Sequence, residues 1–479
     1  MSMHTPISTA APEASDYADA FALHTASLKF DVQLDFTAQE AQQRAELLVH
    51  LRGMVSQCAR GDTYLLPFGS YALGIDSPGT DIDALCVCTS AEDLGALFAA
   101  IERALRADER TTHLVLIPEA IVPTIKLCLR GIDVDLIFAQ LARAQLPTIA
   151  ELETEDVLCG LDLNAVRALN GYRVAQCMRA LIPHLDHWCA AVKIIKLWAK
   201  RRGLYGNSFG FLGGIGYALL MTLVHQLYPN ALTATLVEKF FLVLERWPWP
   251  TPVMLNELQR RARAGNLERI DEMVWTREIG ANLMPILTPA YPAMNAAYNV
   301  NRSTLALMKA EISRARELLE QSRGSEVGER ATAWQTLFEP AQYFTRYPIY
   351  IELEIKATSA HAYEIWLGFV ESRIAKLVLG LERALGAVQG QVQPFPKAFR
   401  AEQSALATPA TSNSALTTSY FIGIDYQPPR RAGVRISLTP TVADFRKRVN
   451  AWEKKTEEMS LRLQLFRVKQ GDALPSYAT

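Results

Sequence analysis

The stretch that decides the fold is Pro67–Cys88, PFGSYALGIDSPGTDIDALCVC, in which two aspartates lie inside an otherwise apolar segment. Asp81 and Asp83 alternate with Ile82 and Ala84, so on a β-strand both carboxylates project from one face. A buried charge without a partner is costly and is normally matched by an opposite charge or a metal ion. Two hard oxygen ligands side by side suit Mg²⁺. The alternation therefore predicts a strand that presents two carboxylates to divalent cations.

A tight turn is predicted just before these aspartates. Gly69 and Ser70 offer backbone N–H groups and a hydroxyl that can hold phosphate oxygens, and a helix starting there would add its dipole. Ten residues, Tyr71–Thr80, separate Ser70 from Asp81, which is enough for a short helix and a return to the strand. The stretch therefore predicts a phosphate-binding turn beside a metal-binding strand.

A second acidic strand is predicted in GIDVDLIFA, residues 131–139, where Asp133 and Asp135 share a face. Asp135 is followed directly by the apolar run, so we favour it as the third ligand. Three aspartates would hold two cations about 4 Å apart. The cations would also offset the clustered negative charge, which otherwise raises carboxylate pKa values. A lone Asp-x-Asp is usually a solvated strand face or turn, but the Gly–Ser pair and the second acidic strand favour a metal site.

The composition indicates a soluble globular protein. A length of 479 residues suggests about three domains, and 49% hydrophobic with 21% charged residues is ordinary. The net charge of −1 argues against a uniformly basic surface, yet Ala341–Thr479 contains 18 Lys and Arg against 12 Asp and Glu. An acidic surplus before residue 341 and a basic surplus after it suit a metal site followed by a polyanion-binding domain. The alternative is random drift in surface composition.

Other signals exclude further classes of protein. Seven cysteines without a CxxC motif favour reduced thiols in an intracellular protein over a disulfide framework or a zinc site. Residues 1–20 lack the basic start and apolar run of a signal peptide. The apolar run Phe209–Val224 is short for a membrane span and contains four glycines, so it predicts a buried helix. We therefore expect no membrane partner.

The periodicity of apolar residues changes along the chain. It predicts a flexible arm over residues 1–20, an α/β unit with a small mixed sheet over residues 21–160 and a helical unit over residues 161–342. The strands predicted for the α/β unit are Thr63–Phe68, Ile82–Cys88, His113–Pro118 and Ile132–Phe138. The predicted fold class is therefore α+β with several domains.

A third unit is predicted over residues 343–479. A strand in PIYIELEIKA is followed by a helix over about Ala360–Leu385, by strands in YFIGIDY and VRISL, by a helix through Trp452 and by a strand in LRLQLFRV. This order is ferredoxin-like, or RRM-like. Ser404–Ser419 is rich in Ser, Thr and Ala and predicts a mobile loop. No aromatic RNP signature is present, so RNA binding here would differ from that of a standard RRM sheet.

The Gly–Ser pair, the Asp-x-Asp strand and the later aspartate resemble the nucleotidyltransferase superfamily of DNA polymerase β type. A closer resemblance is to eukaryotic nuclear-type poly(A) polymerase. The segments FGSYALGIDSPGTDIDALCV, ALNGYRV, IKLWAKRRGLYGNSFGFLGGIGYALL and LMPILTPAYPAMNAAYNV look like that family, in order. The similarity runs from about Leu47 to near the C-terminus. It implies a catalytic palm over residues 21–160, a helical middle domain over 161–342 and an RRM-like RNA-binding domain over 343–479.

The resemblance also implies roles for individual residues. Asp81, Asp83 and Asp135 match the catalytic metal triad. The positions that match nucleotide contacts are Phe68, Gly69 and Ser70 in the gripping turn, Asn170 near the sugar, Lys196 and Tyr205 on the triphosphate, Asn207 beside adenine, and Gly214 and Ile215 at the base. Lys193, Lys196 and Lys200 are spaced i, i+3 and i+7 on one helical face, where a solvated basic stripe is the alternative.

The implied activity is template-independent addition of AMP from ATP to RNA 3′ ends, with two Mg²⁺ ions (Mn²⁺ as a possible substitute) and release of pyrophosphate. The implied partners are the RNA 3′ end, ATP and cleavage and polyadenylation factors, and we expect a monomer. The implied location is the nucleus. The cytoplasm is the alternative, because the family's C-terminal tail with basic localisation segments does not follow within these 479 residues. The rival functions are a terminal uridylyltransferase of the same superfamily and a non-catalytic RNA-binding scaffold.

Overall fold

The computed structural model describes residues 4–30, 33–118, 122–257, 270–276, 282–386, 390–400, 416–426, 437–468 and 474–475. Its first part consists of helices α1 (Ala14–Ser27), α2 (Ala38–Cys58), α3 (Gly69–Leu73) and α4 (Leu94–Ala107) and strands β1 (Thr63–Phe68), β2 (Ile82–Cys88), β3 (Thr111–Ile117), β4 (Thr124–Leu129) and β5 (Ile132–Gln140). The strands form one sheet in the order β1-β2-β5-β4-β3. Strands β2 and β5 are parallel, and the other neighbours are antiparallel.

Strand β2 is buried on both faces, which explains its continuous apolar character. Alternate residues such as Ala84 and Cys86 pack against α2 and α4, whereas Leu85 and Val87 pack into a second core. Asp81 and Asp83 continue the row of Leu85 and Val87, because side chains two apart share a strand face. The carboxylates therefore emerge where this second core opens at the N-terminal end of the strand.

The structure differs from the flexible arm predicted for residues 1–20. Residues 14–20 are the start of α1, which packs against helices in the later part of the chain and not on the sheet. Ala22, Leu23 and Ala26 are buried there, and Asp19 Oδ1 accepts a 2.8 Å hydrogen bond from Arg330 Nε. The apolar face of α1 consists largely of alanines, which allow close approach of helices but give little hydrophobic contrast in a sequence.

The middle part of the chain is helical, as predicted. Its helices are α5 (Ile149–Glu153), α6 (Leu163–Ala180), α7 (Leu185–Arg201), α8 (Gly214–Leu227), α9 (Thr233–Arg246), α10 (Arg302–Gln321) and α11 (Val327–Leu337). Helix α8 is buried at every position from Gly216 to Leu227, so the apolar run predicted as a buried helix is the centre of this bundle. Within the described ranges, no helix is long and apolar enough to cross a membrane.

The last part of the chain is a four-stranded antiparallel sheet with helices on one face. Its elements are β6 (Ile349–Ala357), α12 (Ala360–Glu371), α13 (Ile374–Leu385), β7 (Gln391–Arg400), β8 (Leu416–Asp425), α14 (Thr439–Asn450) and β9 (Met459–Arg467). The strand order β7-β8-β6-β9 is that of a ferredoxin-like fold. Ile351, Leu353 and Ile355 face the helices, as their alternation in the sequence predicts.

Three details of this last part differ from the sequence predictions. The single helix predicted over Ala360–Leu385 is two helices, interrupted at residues 372 and 373. Strand β7 was not predicted, and the strand predicted in VRISL, residues 434–438, lies largely outside the described residues. The loop predicted over Ser404–Ser419 also lies largely outside them, and its last four residues belong to β8.

The face of this sheet opposite the helices is closed by aromatic residues from the segment that enters it. Tyr343, Phe344 and Tyr347 form this aromatic cover. Tyr343 stacks on Phe395 of β7 with ring centroids 4.3 Å apart, and its hydroxyl donates to the Gln393 carbonyl at 2.7 Å. A Cβ atom on Gly423 would overlap the Tyr347 ring, so glycine lets the cover lie flat on β8. The cover and the sheet therefore share one core.

Candidate active site

Three carboxylates converge at one end of the first sheet. Asp83 and Asp135 are directly paired across the parallel strands β2 and β5, and Asp81 lies two residues before Asp83. Ligand oxygens of all three residues lie within 4.8 Å of one another. The structure thus brings together the three aspartates that the sequence pattern selected, whereas Asp133 is exposed.

The electrostatics of this cluster fit hard divalent cations. Burial, followed by the charges of Asp81 and Asp135, raises the pKa of Asp83 to about 7. Burial and the charge of Asp135 also raise the pKa of Asp81. One basic side chain contacts the cluster: Lys126 Nζ on β4 lies 2.6 Å from Asp135 Oδ2. The cluster retains a surplus of negative charge, and oxygen ligands at this spacing suit Mg²⁺ or a similar ion.

The turn at Gly69 fixes the position of Asp83. Gly69 has φ +62°, and a Cβ atom there would overlap Asp83 Oδ2 and lie 3.0 Å from Asp83 Cγ. Ser70 follows in the first turn of the five-residue helix α3, which ends at Gly74 in the left-handed conformation. Phe68, the last residue of β1, packs its ring against Gly171 of α6. The turn at Gly69 is therefore in direct contact with the Asp83 carboxylate.

Arg44 of α2 holds the loop that leads to Asp81, and it was not identified from the sequence. Its guanidinium donates to the carbonyls of Thr80 and Asp81 at 3.0 and 3.2 Å. It also pairs with Asp76 at 3.2 Å and lies 4.6 Å above the Phe36 ring. The Arg44 side chain is buried. Nothing in its sequence context marks it, because an arginine in a helix usually indicates a solvated face.

Two buried polar side chains of the middle helices reach the same region. Asn170 of α6 is 4% exposed, and its Oδ1 atom makes no hydrogen bond within the described part of the chain. Lys196 of α7 is 5% exposed, and its Nζ donates to the Ile75 carbonyl at 2.8 Å. Burial, with repulsion from Lys200, lowers the pKa of Lys196 to about 8. Both residues are thus positioned with unused hydrogen-bonding capacity, which suits a ligand.

Tyr205 contacts the start of α8 at Gly214. Burial raises the pKa of its hydroxyl, and the charges of Asp81 and Asp83 act in the same direction. This hydroxyl hydrogen-bonds with the backbone of Gly214, and the Tyr205 and Tyr217 rings are stacked 6.0 Å apart. Asp81 also contributes to the pKa of Lys196. The charge of Asp81 therefore acts on both Lys196 and Tyr205.

The residues predicted to contact a base lie at the start of α8 and in the turn that packs against it. Asn207 opens a short 3₁₀ turn, and its Cβ lies 3.7 Å from the Cβ position of Gly213. Asn299 Nδ2 donates to the Asn207 carbonyl at 3.0 Å and approaches Asn207 Oδ1 at 3.5 Å. Ile215, in the first turn of α8, is 38% exposed. A hydrogen-bonded pair of amides and an exposed apolar side chain therefore lie near the start of α8.

The three lysines spaced along α7 do not behave alike. Lys196 is buried as described above, whereas Lys193 Nζ pairs with Asp35 Oδ1 at 2.8 Å. Lys200 is exposed, and its Nζ lies 5.2 Å from the centroid of the Tyr205 ring. The alternative interpretation, a solvated basic stripe, therefore holds for Lys200 but not for Lys196.

A mixed sheet whose neighbouring strands unite three aspartates beside a Gly–Ser turn is the architecture of a nucleotidyltransferase, and the comparisons with known proteins agree. Residues 3–182 match the family model "Poly(A) polymerase nucleotidyltransferase domain". Residues 187–340 match "Poly(A) polymerase central domain", and residues 342–408 match "Poly(A) polymerase predicted RNA binding domain". The chain therefore belongs to the poly(A) polymerase family.

Individual relatives place the chain in the same family. It is 33% identical to the poly(A) polymerase of Dictyostelium discoideum, over 98% of this chain and 58% of that protein. It is 35% identical to nuclear poly(A) polymerase 1 of Arabidopsis thaliana, over 81% of this chain and 52% of that protein. The chain thus spans little more than half the length of these relatives. A solved structure of the Cid1 poly(U) polymerase with MgGTP has a TM-score of 0.48 at 19% identity, covering 67% of this chain and 98% of that one.

Proposed function

We propose that this chain is a polynucleotide adenylyltransferase that adds AMP from ATP to RNA 3′ ends without a template. The observation that carries the proposal is the convergence of Asp81, Asp83 and Asp135 within 4.8 Å beside a Gly–Ser turn. Membership of the poly(A) polymerase family supports ATP and RNA as substrates. The same relatives make a uridylyltransferase the weaker candidate.

The three aspartates would hold two Mg²⁺ ions, or Mn²⁺ in their place, which when bound lower the pKa of the attacking 3′-hydroxyl and offset charge on the leaving pyrophosphate. The chain's own contribution is positioning. Gly69 lies against Asp83, and the backbone N–H groups and the Ser70 hydroxyl of this turn would hold phosphate oxygens for in-line attack. Arg44 donates to the carbonyls of Thr80 and Asp81 and would thereby restrain the backbone that carries the Asp81 carboxylate.

Lys196 and Tyr205 would bind the triphosphate. The ammonium of Lys196 has three donors, and the Ile75 carbonyl accepts from one of them, so two remain for phosphate oxygens. Its pKa near 8 keeps it largely protonated at neutral pH, and a bound polyanion would raise that value further. No residue needs to form a covalent intermediate, because the 3′-hydroxyl is the nucleophile.

The base and the sugar would be held by the middle helices. Within the described ranges, Asn170 Oδ1 has no hydrogen-bond partner, and the next residue, Gly171, contacts the Phe68 ring, where the ribose is expected. Asn207, held by Asn299, would hydrogen-bond an adenine that packs on Ile215. One oriented amide supplies only a few kcal/mol of selectivity, so some misincorporation of other nucleotides is expected.

Primer extension tests this proposal. An oligo(A) primer is incubated with each of the four nucleoside triphosphates, in Mg²⁺ and in Mn²⁺. We expect stepwise extension with ATP, its loss by about 10³-fold or more in Asp135→Ala, and near-normal extension in Asp133→Ala, the matched change two residues away on the same strand. Preference for UTP would identify a uridylyltransferase, no extension by the unaltered chain would identify a scaffold, and normal extension by Asp135→Ala would discredit the metal assignment.

We further propose a nuclear location and a role in mRNA 3′-end formation with cleavage and polyadenylation factors. The support is the name of the Arabidopsis relatives, which are nuclear poly(A) polymerases. Imaging of the tagged full chain at its native expression level tests the location. Affinity purification from nuclear extract tests the association with those factors, and exclusion from nuclei would contradict both.

A further inference from the structure

Two of the residues proposed to bind the nucleotide lie in one short turn between α7 and α8. Residues 205–209, called here the nucleotide turn, include Tyr205 and Asn207. A backbone hydrogen bond closes the turn, since Phe209 N donates to the Gly206 carbonyl at 3.1 Å. This bond sets the shape of the turn but not its place in the molecule. The place of the turn depends on the neighbouring elements that contact it.

Glu371, the last residue of α12, ties the nucleotide turn to the C-terminal sheet. Its Oε1 atom accepts a hydrogen bond from the Ser208 hydroxyl at 3.2 Å, and its Oε2 atom accepts one from the Tyr420 hydroxyl, also at 3.2 Å. Tyr420, on β8, is 5% exposed, and its ring centroid lies 5.2 Å from that of Phe209. One carboxylate therefore joins the residue that follows Asn207 to a buried side chain of the sheet.

Strand β7 also contacts the nucleotide turn and the residues just before it. Pro396 Cβ lies 3.3 Å from the Cβ position of Gly206, and the Phe395 ring lies 3.1 Å from that of Gly203. Both contacted positions are glycines, which lets the strand approach the backbone closely. Two strands and one helix of the C-terminal domain therefore pack directly against the turn or the residues that lead into it.

The middle helices and the C-terminal domain are joined at a further buried contact. Ser303, in the first turn of α10, donates its backbone N–H to the Glu382 carboxylate on α13, and its hydroxyl accepts from Val392 N on β7 at 3.1 Å. Ser303 and Glu382 are 5% and 8% exposed. Buried hydrogen bonds are costly to break, because each lost partner leaves an unsatisfied polar group. The C-terminal domain can therefore act as a fixed support for the nucleotide turn.

We propose that Glu371 is a positioning residue for nucleotide selection, and that it acts on Asn207 through Ser208. The inference rests on the proposed function, in which the Asn207 amide hydrogen-bonds adenine. Hydrogen bonds weaken steeply when their geometry departs from the ideal, so recognition by one amide requires that the turn carrying it stays in place. The C-terminal domain then contributes to the choice of nucleotide, although none of the residues assigned to nucleotide contacts belongs to it.

A purely structural role for Glu371 leads to a different expectation. Loss of a contact between domains would lower the thermal midpoint and reduce activity with every nucleotide alike. Loss of the Glu371 charge would also act equally on ATP and UTP, because both carry the same triphosphate. A displaced Asn207, in contrast, changes the preference for ATP over UTP. The ratio between the two nucleotides therefore separates a positioning role from a structural one.

Two ratios measured on the full chain test the proposal. One is the Kd for UTP divided by the Kd for ATP, from isothermal titration calorimetry in Mg²⁺ without primer. The other is the ratio of kcat/KM values for ATP and UTP in extension of an oligo(A) primer. We expect Glu371→Ala to lower both ratios about fivefold, which corresponds to one hydrogen bond of about 1 kcal/mol. Glu371→Gln should retain most of the preference, because Ser208 and Tyr420 hydroxyls can accept from an amide as well as donate to it.

The matched control is Glu458→Ala, which should leave both ratios unchanged. Glu458 is an exposed glutamate of the same domain that accepts a 2.6 Å hydrogen bond from the Ser359 hydroxyl. Ser359 caps the N-terminal end of α12, whereas Glu371 ends the same helix. The control therefore removes the same kind of hydrogen bond at the end of α12 that is remote from the nucleotide turn.

A double-variant cycle adds a second check. Ser208→Ala removes the hydrogen bond from the side of the turn, so Glu371→Ala combined with Ser208→Ala should be about as selective as Glu371→Ala alone. Unchanged ratios in Glu371→Ala, even with a lower thermal midpoint, would overturn the proposal and leave Glu371 as a contact between domains. Equal losses in Glu371→Ala and Glu458→Ala would overturn it as well. Failure of the unaltered chain to extend the primer would refute the proposed function alone, because the calorimetric ratio would still decide the role of Glu371.

Discussion

Gly69 lies directly against the carboxylate of Asp83, so that a Cβ atom at residue 69 would overlap Asp83 Oδ2. We expect Gly69→Ala to push Asp83 out of line with Asp135 and to reduce AMP addition by about 100-fold or more, because a misplacement of about 1 Å at a reacting centre has effects of this size. Gly79→Ala is the matched control. Gly79 also has positive φ, +80°, but no atom lies within 4 Å of its Cβ position. Both variants should lose about 1 kcal/mol of stability. Equal rates of AMP addition by the two variants would show that the contact between Gly69 and Asp83 does not position this carboxylate.

The pKa of Asp83 predicts how stability depends on pH in the absence of metal. This pKa is raised to about 7, so the folded chain binds the Asp83 proton more tightly than the unfolded chain does. The destabilisation by ionised Asp83 is therefore complete above pH 7 and fades as the pH falls toward the ordinary value near 4. We expect Asp83→Asn to raise the free energy of unfolding at pH 8 by about 1–4 kcal/mol, and by less at pH 5.

Urea unfolding in EDTA across pH 5–8 measures this effect. Asp133→Asn, an exposed carboxylate on the neighbouring strand, should show no comparable gain. Adding Mg²⁺ should stabilise the unaltered chain but not Asp83→Asn, because bound cations remove the repulsion that the substitution relieves. Equal stabilities of the unaltered chain and Asp83→Asn at pH 8 would show that the carboxylates are neutralised in another way.

Arg44 is expected to act as a positioning residue for Asp81. Arg44→Lys keeps the charge opposite Asp76 but cannot donate to two carbonyls in a fixed fork. We expect kcat for AMP addition to fall about tenfold or more while the KM for ATP changes little. Arg52→Lys, on the exposed side of the same helix, serves as the control. A fall in thermal midpoint without a fall in kcat at 25 °C would reduce Arg44 to a structural residue.

Asn299 is expected to set nucleotide choice through Asn207. Its Nδ2 donates to the Asn207 backbone carbonyl at 3.0 Å and approaches the side-chain Oδ1 at 3.5 Å, so Asn299→Ala should loosen both the backbone and the side chain of Asn207. The preference for ATP over UTP, measured as the ratio of kcat/KM values, should fall about fivefold, which corresponds to one hydrogen bond of about 1 kcal/mol. Asn230→Ala removes a surface amide that bonds only the distant Thr9 carbonyl and should leave the ratio unchanged. An unaltered ratio in Asn299→Ala would remove Asn207 from base recognition.

Features of this chain that depend on local alternation could be predicted from the sequence. Asp81, Asp83 and Asp135 were found because two carboxylates on one face of an apolar strand are unusual in themselves. Their meeting required one further step, the parallel pairing of β2 with β5. Lys196 was selected within a stripe of three lysines, but the stripe did not show that only Lys196 of the three is fully buried. That difference arises from packing of α7 against Ile75, in the loop between α3 and β2.

Features that depend on distant contacts or weak local signals could not be predicted. Arg44 is separated from Asp81 by 37 residues, and no local pattern links a helical arginine to a loop carbonyl. Strand β7 contains Pro394 and Pro396, which count against a strand unless it lies at a sheet edge, where β7 does lie. The arm that proved to be α1 has an alanine-rich face with little contrast. In each case tertiary packing decided the outcome.

The aromatic cover has a consequence for how members of this family can exchange their parts. Tyr343 and Phe344 precede the first strand of the C-terminal sheet, yet they complete its interior. A chimera joined at Tyr347 would combine the sheet of one parent with most of the aromatic cover of the other. Mismatched rings would then leave hydrophobic surface exposed. Chimeras joined before Pro340 keep the aromatic cover and the sheet from one parent and should stay monodisperse. The structural boundary of the last unit therefore lies upstream of its first strand.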